Sequence, residues 1–152
     1  LAAMLATTQA EDDLGVTDEL TSRDTLPAAA VCLCSVLSCH HYADAHAGVA
    51  KMLDRFLGPG ADDPEVVRSA SPIDRVRGKE PPFLMVVGDA DETTPVSLHE
   101  AMRDRLVEKG VGAELVVLEG VKHGFGYGVK SSAQKETLGH IERFLAAVFG
   151  LE

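Results

Sequence analysis

The sequence predicts a three-layer α/β sandwich built on a mainly parallel sheet. Three observations carry that expectation. Short apolar runs alternate with amphipathic helical stretches, the pattern of successive strand–helix–strand units. The run Phe83-Leu84-Met85-Val86-Val87 is apolar at every position, as a strand covered on both faces requires. The chain has 152 residues, 45% apolar and 25% charged, which suffices for one buried core.

The elements follow in order. Residues 1–8 contain Leu1-Ala2-Ala3-Met4-Leu5-Ala6, strong helix formers with no capping side chain before them. The stretch is apolar on every side, as a helix inside a larger core would be. A helix that starts uncapped at residue 1, on Leu rather than Met, predicts the C-terminal part of a longer protein. Residues 9–27 are polar and acidic and read as a surface loop. Ala28 to Val36, behind Pro27, reads as a buried strand.

Asp44 to Leu57 places Val49, Met52, Leu53, Phe56 and Leu57 at helical spacing, and Gly58-Pro59-Gly60 stops it. Asp63-Pro64 suits the cap and first turn of a short helix reaching about Ala70. Phe83 to Val87 is the second strand. Ser97-Leu98-His99-Glu100 has the spacing of a capping box. The helix it opens is expected to bury Leu98, Ala101, Met102 and Leu106 and to end at Gly110. Ala113 to Leu118 is the third strand, closed by Gly120. Ser131 and Gln134 offer a cap for a last helix with Leu138, Ile141, Phe144, Leu145 and Val148 on one face. No internal repeat, low-complexity tract or second domain is visible, so residues 1–152 read as a single partial domain.

Charge and cysteine content exclude several classes. With 14 Lys+Arg against 24 Asp+Glu the net charge is −10, which disfavours nucleic acid and anionic membranes as partners. No apolar run approaches the roughly 20 residues that span a bilayer. Three cysteines, all between Cys32 and Cys39, do not make a disulfide framework and point to a reducing, cytoplasmic compartment. Cys32 and Cys34, two apart in an apolar run, are expected as small buried thiols on one face of a strand.

Reactive residues gather after the second and third strands. In an open parallel sheet, sites form at the carboxyl ends of strands. Gly88-Asp89-Ala90-Asp91-Glu92-Thr93-Thr94-Pro95 follows one, and Glu119-Gly120-Val121-Lys122-His123-Gly124-Phe125-Gly126 follows the next. An acidic loop and a histidine loop therefore leave the same edge, one strand–helix–strand excursion apart. A carboxylate that accepts the Nδ1 proton of an imidazole fixes its tautomer and leaves Nε2 free as a base.

These motifs carry a resemblance. Ser71-Pro72-Ile73-Asp74, Pro81-Pro82-Phe83-Leu84, Gly88-Asp89-Ala90-Asp91 and Glu119-Gly120-Val121-Lys122-His123-Gly124-Phe125 resemble the C-terminal portion of the α/β-hydrolase superfamily. The chain looks most like its small esterases and acetyl esterases, with their acetylxylan-esterase, dienelactone-hydrolase and prolyl-oligopeptidase-like relatives. The likeness covers about residues 65–150 and extends more weakly to the first helix.

The resemblance implies Asp91 as the acid and His123 as the base of a Ser-Asp-His triad, with Asp89 as the competing acid. It also implies that the nucleophilic serine lies upstream of Leu1, because no G-x-S-x-G occurs in these residues. Ser35 and Ser38 lack flanking glycines. Where many relatives have His before the Gly88 position this chain has Val87, and where they have Val before Pro95 it has Thr94. The function implied is that of a serine carboxylic-ester hydrolase acting on a small-molecule ester, with these residues alone inactive. A peptidase or dienelactone-type hydrolase is the alternative among enzymes. A non-catalytic α/β module that binds a partner, or a second copy, along an exposed sheet edge is the alternative outside them.

Other constellations carry less chemistry. Cys39-His40-His41 with Asp44 and His46 offers N, S and O donors, but a structural zinc site takes four ligands in paired spacing and no second pair follows. A loop that shapes a pocket is the expectation there, and neither a metal nor a cofactor is implied. Cys39 could serve as a thiol nucleophile beside histidine, yet it lacks the strained turn that exposes such a group. The glycines of residues 120–128 form no dinucleotide fingerprint. His140 is expected at the surface of the last helix.

Overall fold

The computed structural model describes residues 1–9, 12, 26–40, 48–125 and 131–151. In chain order it has α1 (Ala2–Thr7), β1 (Ala30–Leu33), α2 (Gly48–Leu57), α3 (Pro64–Ala70), β2 (Phe83–Gly88), α4 (Val96–Glu108), β3 (Ala113–Leu118) and α5 (Ser132–Phe149). Short 3-10 turns at Gly58–Gly60 and Pro72–Arg75 follow α2 and α3. The three strands are parallel in the order β1-β2-β3, with Val31 beside Leu84 and Met85 beside Leu115.

Helices cover both faces, and strand alternation decides which residue meets which helix. Ala30, Cys32, Phe83, Met85, Ala113 and Leu115 pack with Ala3 and Ala6 of α1 and with Leu98, Met102 and Leu106 of α4. Val31, Leu84, Val86, Val116 and Leu118 pack with Ile141, Phe144, Leu145 and Val148 of α5. All six residues of β2 are buried, so the expected double-faced strand is present. Burying each of its large side chains stabilises the fold by about 1.5–3 kcal/mol. A third cluster joins Cys39 to Val49 and Leu53 of α2 and to Val67 and Ala70 of α3. No helix among the described residues is long and apolar enough to cross a membrane.

Local signals account for most element ends. Asp63 caps α3 by accepting the Glu65 amide at 2.9 Å, and Ser131 caps α5 by accepting the Gln134 amide at 3.2 Å. Gly110, at φ 80°, ends α4 in the left-handed region, where the Val111 amide reaches the Leu106 carbonyl at 2.9 Å.

Several expectations are corrected. β1 is four residues long rather than the whole of Ala28 to Val36, because Cys34 turns out of the strand at φ 44°. Cys32 and Cys34 consequently do not share a strand face. The Ser97 capping box does not form. Pro95 occupies the N-cap with no side-chain cap, and Ser97 sits within the first turn of α4. His99, not Ala101, joins Leu98, Met102 and Leu106 on the buried face of that helix.

On α2 only Val49 and Leu53 are buried, and Met52 and Phe56 are exposed. On α5 Leu138 is 55% exposed, facing an apolar hollow shared with Leu33, Phe125 and Ile141. α1 buries Ala3, Ala6 and Thr7 but leaves Leu1 and Leu5 exposed, so it is not enclosed on every side. Of the expected strand, helix and loop spans, residues 10–11, 13–25, 41–47 and 126–130 lie outside the described residues.

The end of β2 is held against the next loop. A Cβ on Gly88 would lie 1.9 Å from the Val121 carbonyl oxygen, a backbone atom that cannot swing aside. Gly88→Ala is therefore expected to lower stability by about 1–3 kcal/mol or more in chemical denaturation. Gly112→Ala, where a Cβ meets nothing within 4 Å, should stay within about 0.5 kcal/mol of wild type. Equal effects of the two substitutions would refute the close approach.

Candidate active site

Two loops leave the carboxyl ends of β2 and β3 and are tied together by backbone. The Asp89 amide donates to the Leu118 carbonyl at 3.0 Å and the Ala90 amide to the Val121 carbonyl at 3.1 Å. The Asp89 carboxylate accepts the Gly120 amide at 2.7 Å. Asp89 thus clamps one loop to the other, and its carboxylate has no hydrogen bond to His123.

Asp91 occupies the position that meets the histidine. Its side chain is wholly buried, while that of His123 is 40% exposed. Asp91 Oδ1 accepts the amides of Thr94 at 2.8 Å and Thr93 at 2.9 Å, and Oδ2 accepts the Thr94 hydroxyl at 3.0 Å. His123 Nδ1 lies 2.9 Å from Oδ2 and 3.1 Å from Oδ1. An ionised carboxylate only accepts, so Nδ1 must carry the proton in this bond. A neutral ring then has its lone pair on Nε2, which makes no hydrogen bond to a described residue.

The charge state of Asp91 follows from its surroundings. Burial works to raise its pKa, but the Thr94 amide, His123, the Thr93 amide and the Thr94 hydroxyl together hold it below the ordinary carboxylate value. The anion that would steady an imidazolium is therefore present at neutral pH. Gly124, at φ 76°, turns the chain directly after His123.

Two further side chains stand beside this pair. His99 is fully buried under the acidic loop, and its Nδ1 donates to the Pro95 carbonyl at 3.0 Å. Burial pushes its pKa down, which keeps the ring neutral. Cys34, just past β1, brings its thiol close enough that Sγ, a carboxylate oxygen of Asp91 and a ring nitrogen of His123 all lie within 4.8 Å of one another. Burial pushes the Cys34 thiol up to about 11, with the charge of Asp91 adding to the rise and the Gly124 and Gly88 amides opposing it. It is a thiol, not a thiolate, at neutral pH.

The remaining candidates lie elsewhere. Cys39 Sγ donates to the Ala70 carbonyl at 3.3 Å, and burial raises its pKa. His40 Nε2 pairs with Asp74 at 2.7 Å, so Cys39 and His40 are turned to different partners. His41, Asp44 and His46 lie outside the described residues. Ser35 Oγ bonds the Leu33 carbonyl and Ser38 Oγ accepts the His40 amide, and no described serine bonds His123. His140, half-buried, accepts from Arg143 at 2.9 Å.

Parallel strands between helices, with a buried acid and a histidine on adjacent strand ends, match the α/β-hydrolase fold. Residues 20–152 match the prolyl oligopeptidase family, and the chain belongs to that family. No curated protein sequence matches. Among solved structures it is similar to a thermophilic esterase from the planctomycete Thermogutta terrifontis, with 23% identity over 97% of this chain and 50% of that chain and a TM-score of 0.73. The same esterase phosphonylated by sarin aligns at 22% identity over 97% of this chain and 52% of that one, with a TM-score of 0.76. Puromycin hydrolase is 26% identical over 86% of this chain and 20% of its own, with a TM-score of 0.71. The chain thus spans about half the length of the esterase it resembles.

Thr94, His99 and Cys34 escaped the reading of the sequence as site residues. Thr94 left a trace, a polar side chain three residues past an acid and directly before proline. His99 was hidden in a stretch that mimics a capping box, and Cys34 within an apolar run.

Because the pKa of Asp91 is held below its ordinary value of 3.8, its stabilising bonds are fully present above pH 3.8 and are lost as pH falls through the lower folded value. Thr94→Val removes the buried hydroxyl donor. It should raise the Asp91 pKa, shift acid unfolding to higher pH and cost about 1.5–3 kcal/mol at neutral pH. Carboxyl carbon NMR titration and denaturation across pH measure both effects. An Asp91 that titrates as in wild type would contradict the arrangement.

Proposed function

We propose that the protein containing this chain is a serine hydrolase that cleaves carboxylic esters of small molecules. The observation that carries the proposal is the 2.9 Å bond from His123 Nδ1 to a fully buried Asp91 carboxylate at the ends of adjacent parallel strands. That bond leaves Nε2 as the one basic nitrogen, on a ring open to solvent on one side. A serine hydroxyl, supplied by the half of the fold that these residues do not span, gives its proton to Nε2 as Oγ attacks the ester carbonyl. Asp91 stabilises the imidazolium formed. The same Nε2–H then protonates the leaving alkoxide, and His123 next activates water to release the acyl group. No cofactor enters these steps.

The likeness to the Thermogutta esterase supports the ester over other acyl substrates, and the forms of that esterase modified by sarin and tabun are organophosphorus adducts. Membership of the prolyl oligopeptidase family favours a second reading, amide hydrolysis of peptides, by the same residues. β1 is an edge strand of the described sheet, with β2 on one side only, and its outer edge would accept a strand from the rest of the fold.

In the full protein, a fluorophosphonate probe should label a serine. Asp91→Asn and His123→Ala should each lower kcat/KM for p-nitrophenyl acetate about 10,000-fold. Turnover retained within tenfold of wild type in either variant contradicts the assignment. Faster cleavage of a peptide p-nitroanilide than of the acetate ester would move the protein to the peptidase reading. The 152 residues alone should show no histidine-dependent turnover.

A further inference from the structure

We propose that Cys34, Asp91 and His123 form a binding site for one thiophilic divalent cation, with Zn2+ the best match, and that its occupancy disables His123 as a base. Residue spacing offers no reason to expect a metal here, because Cys34 is separated from the other two by 57 and 89 residues. The fold brings Sγ, a carboxylate oxygen and a ring nitrogen within 4.8 Å of one another. One sulfur, one nitrogen and one oxygen donor make a set that zinc accepts. Tetrahedral bonds of about 2.0–2.3 Å place ligand atoms about 3.2–3.7 Å apart, so the three donors need to move by only about 1 Å.

The surroundings hold the donors in place. Cys34 is the one non-glycine residue with positive φ among the described residues, at 44°, and its amide is anchored to the Val86 carbonyl at 2.9 Å. That turn takes the side chain out of the strand's alternation, which buries Cys32 against α1 and α4, and sets it beside Asp91. Backbone strain at a non-glycine residue persists only where its surroundings enforce it. Asp91 Oδ1 stays with the Thr93 and Thr94 amides, while Oδ2 keeps the Thr94 hydroxyl and offers the metal the lone pair that now meets His123 Nδ1.

Proton accounting gives the consequence. The ion bonds to the Cys34 sulfur, whose proton goes to solvent, and to Nδ1, whose proton is carried on Nε2 in the other tautomer. One proton is released per ion bound, and no redox change occurs. With a proton on Nε2 the ring has no lone pair to offer a serine. This second half rests on the hydrolase reading, whereas the metal site itself does not.

The test titrates the 152-residue chain with Co2+ as the spectroscopic probe, followed by displacement with Zn2+. A near-ultraviolet thiolate-to-cobalt band should saturate at one ion per chain and vanish on adding zinc. Cys34→Gly, whose backbone suits the left-handed turn, should abolish the band without loss of fold by circular dichroism. Cys32→Ser and Cys39→Ser should keep it. Asp91→Asn and His123→Gln should weaken cobalt binding by at least the ten- to hundredfold that even an outer-shell partner is worth.

A band that survives Cys34→Gly, or excess Co2+ that yields no band with wild type, overturns the site. In the full protein, zinc should suppress fluorophosphonate labelling. Metal bound with labelling unchanged overturns the claim about the base, while labelling absent without any metal overturns the hydrolase reading alone.

Discussion

A buried carboxylate constrains everything around it. A charge taken out of water is costly unless its oxygens are bonded, and Asp91 meets that requirement with two amides, a hydroxyl and an imidazole. Each donor fixes a piece of structure. The Thr93 and Thr94 amides curl the loop after β2. That curl delivers Pro95 to the start of α4, where the Pro95 carbonyl accepts a hydrogen bond from Nδ1 of buried His99. The imidazole of His123 is drawn from the next strand's loop to the remaining side. Gly88 and Asp89 hold the two loops close enough for this to happen, one by having no Cβ and the other by accepting the Gly120 amide.

The sheet supplies the other half of the constraint. Parallel strands send all their carboxyl ends to one edge, so residues that follow β1, β2 and β3 converge although they are far apart in sequence. Helices on both faces exclude water from β2, and this makes the bonds to Asp91 count for more than they would on a surface. Cys34, Asp91 and His123 each follow one of the three strands. The chain itself spans about half the length of the esterase it resembles.

Much of this was legible in the sequence, for physical reasons. A five-residue apolar run admits few structures other than a doubly covered strand, so β2 was clear, and β3 and the caps at Asp63 and Ser131 followed simple spacing rules. Asp91 and His123 were legible as a pair because each follows a strand in a loop with glycine. Asp91 is preferred to Asp89 in the sequence only through the resemblance, since both lie past the same strand end, and what separates them in the fold is that one carboxylate meets His123 and the other the Gly120 amide.

The limits of β1 and the place of Cys34 were not legible, because a single left-handed residue inside an apolar run leaves no mark on hydropathy. His99 was equally hidden. Pro95 is the N-cap of its helix, so the expected serine cap lies two residues further on, inside the first turn, and the buried face includes the histidine.

The tautomer of His123 is the most direct test of the central claim, that Asp91 holds the Nδ1 proton and leaves Nε2 bare. Long-range proton–nitrogen NMR of the folded chain at neutral pH reads it. The expected result is a protonated Nδ1 and an unprotonated Nε2, with the preference lost in Asp91→Asn. A ring protonated at Nε2, or one whose tautomer ignores Asp91→Asn, would contradict it.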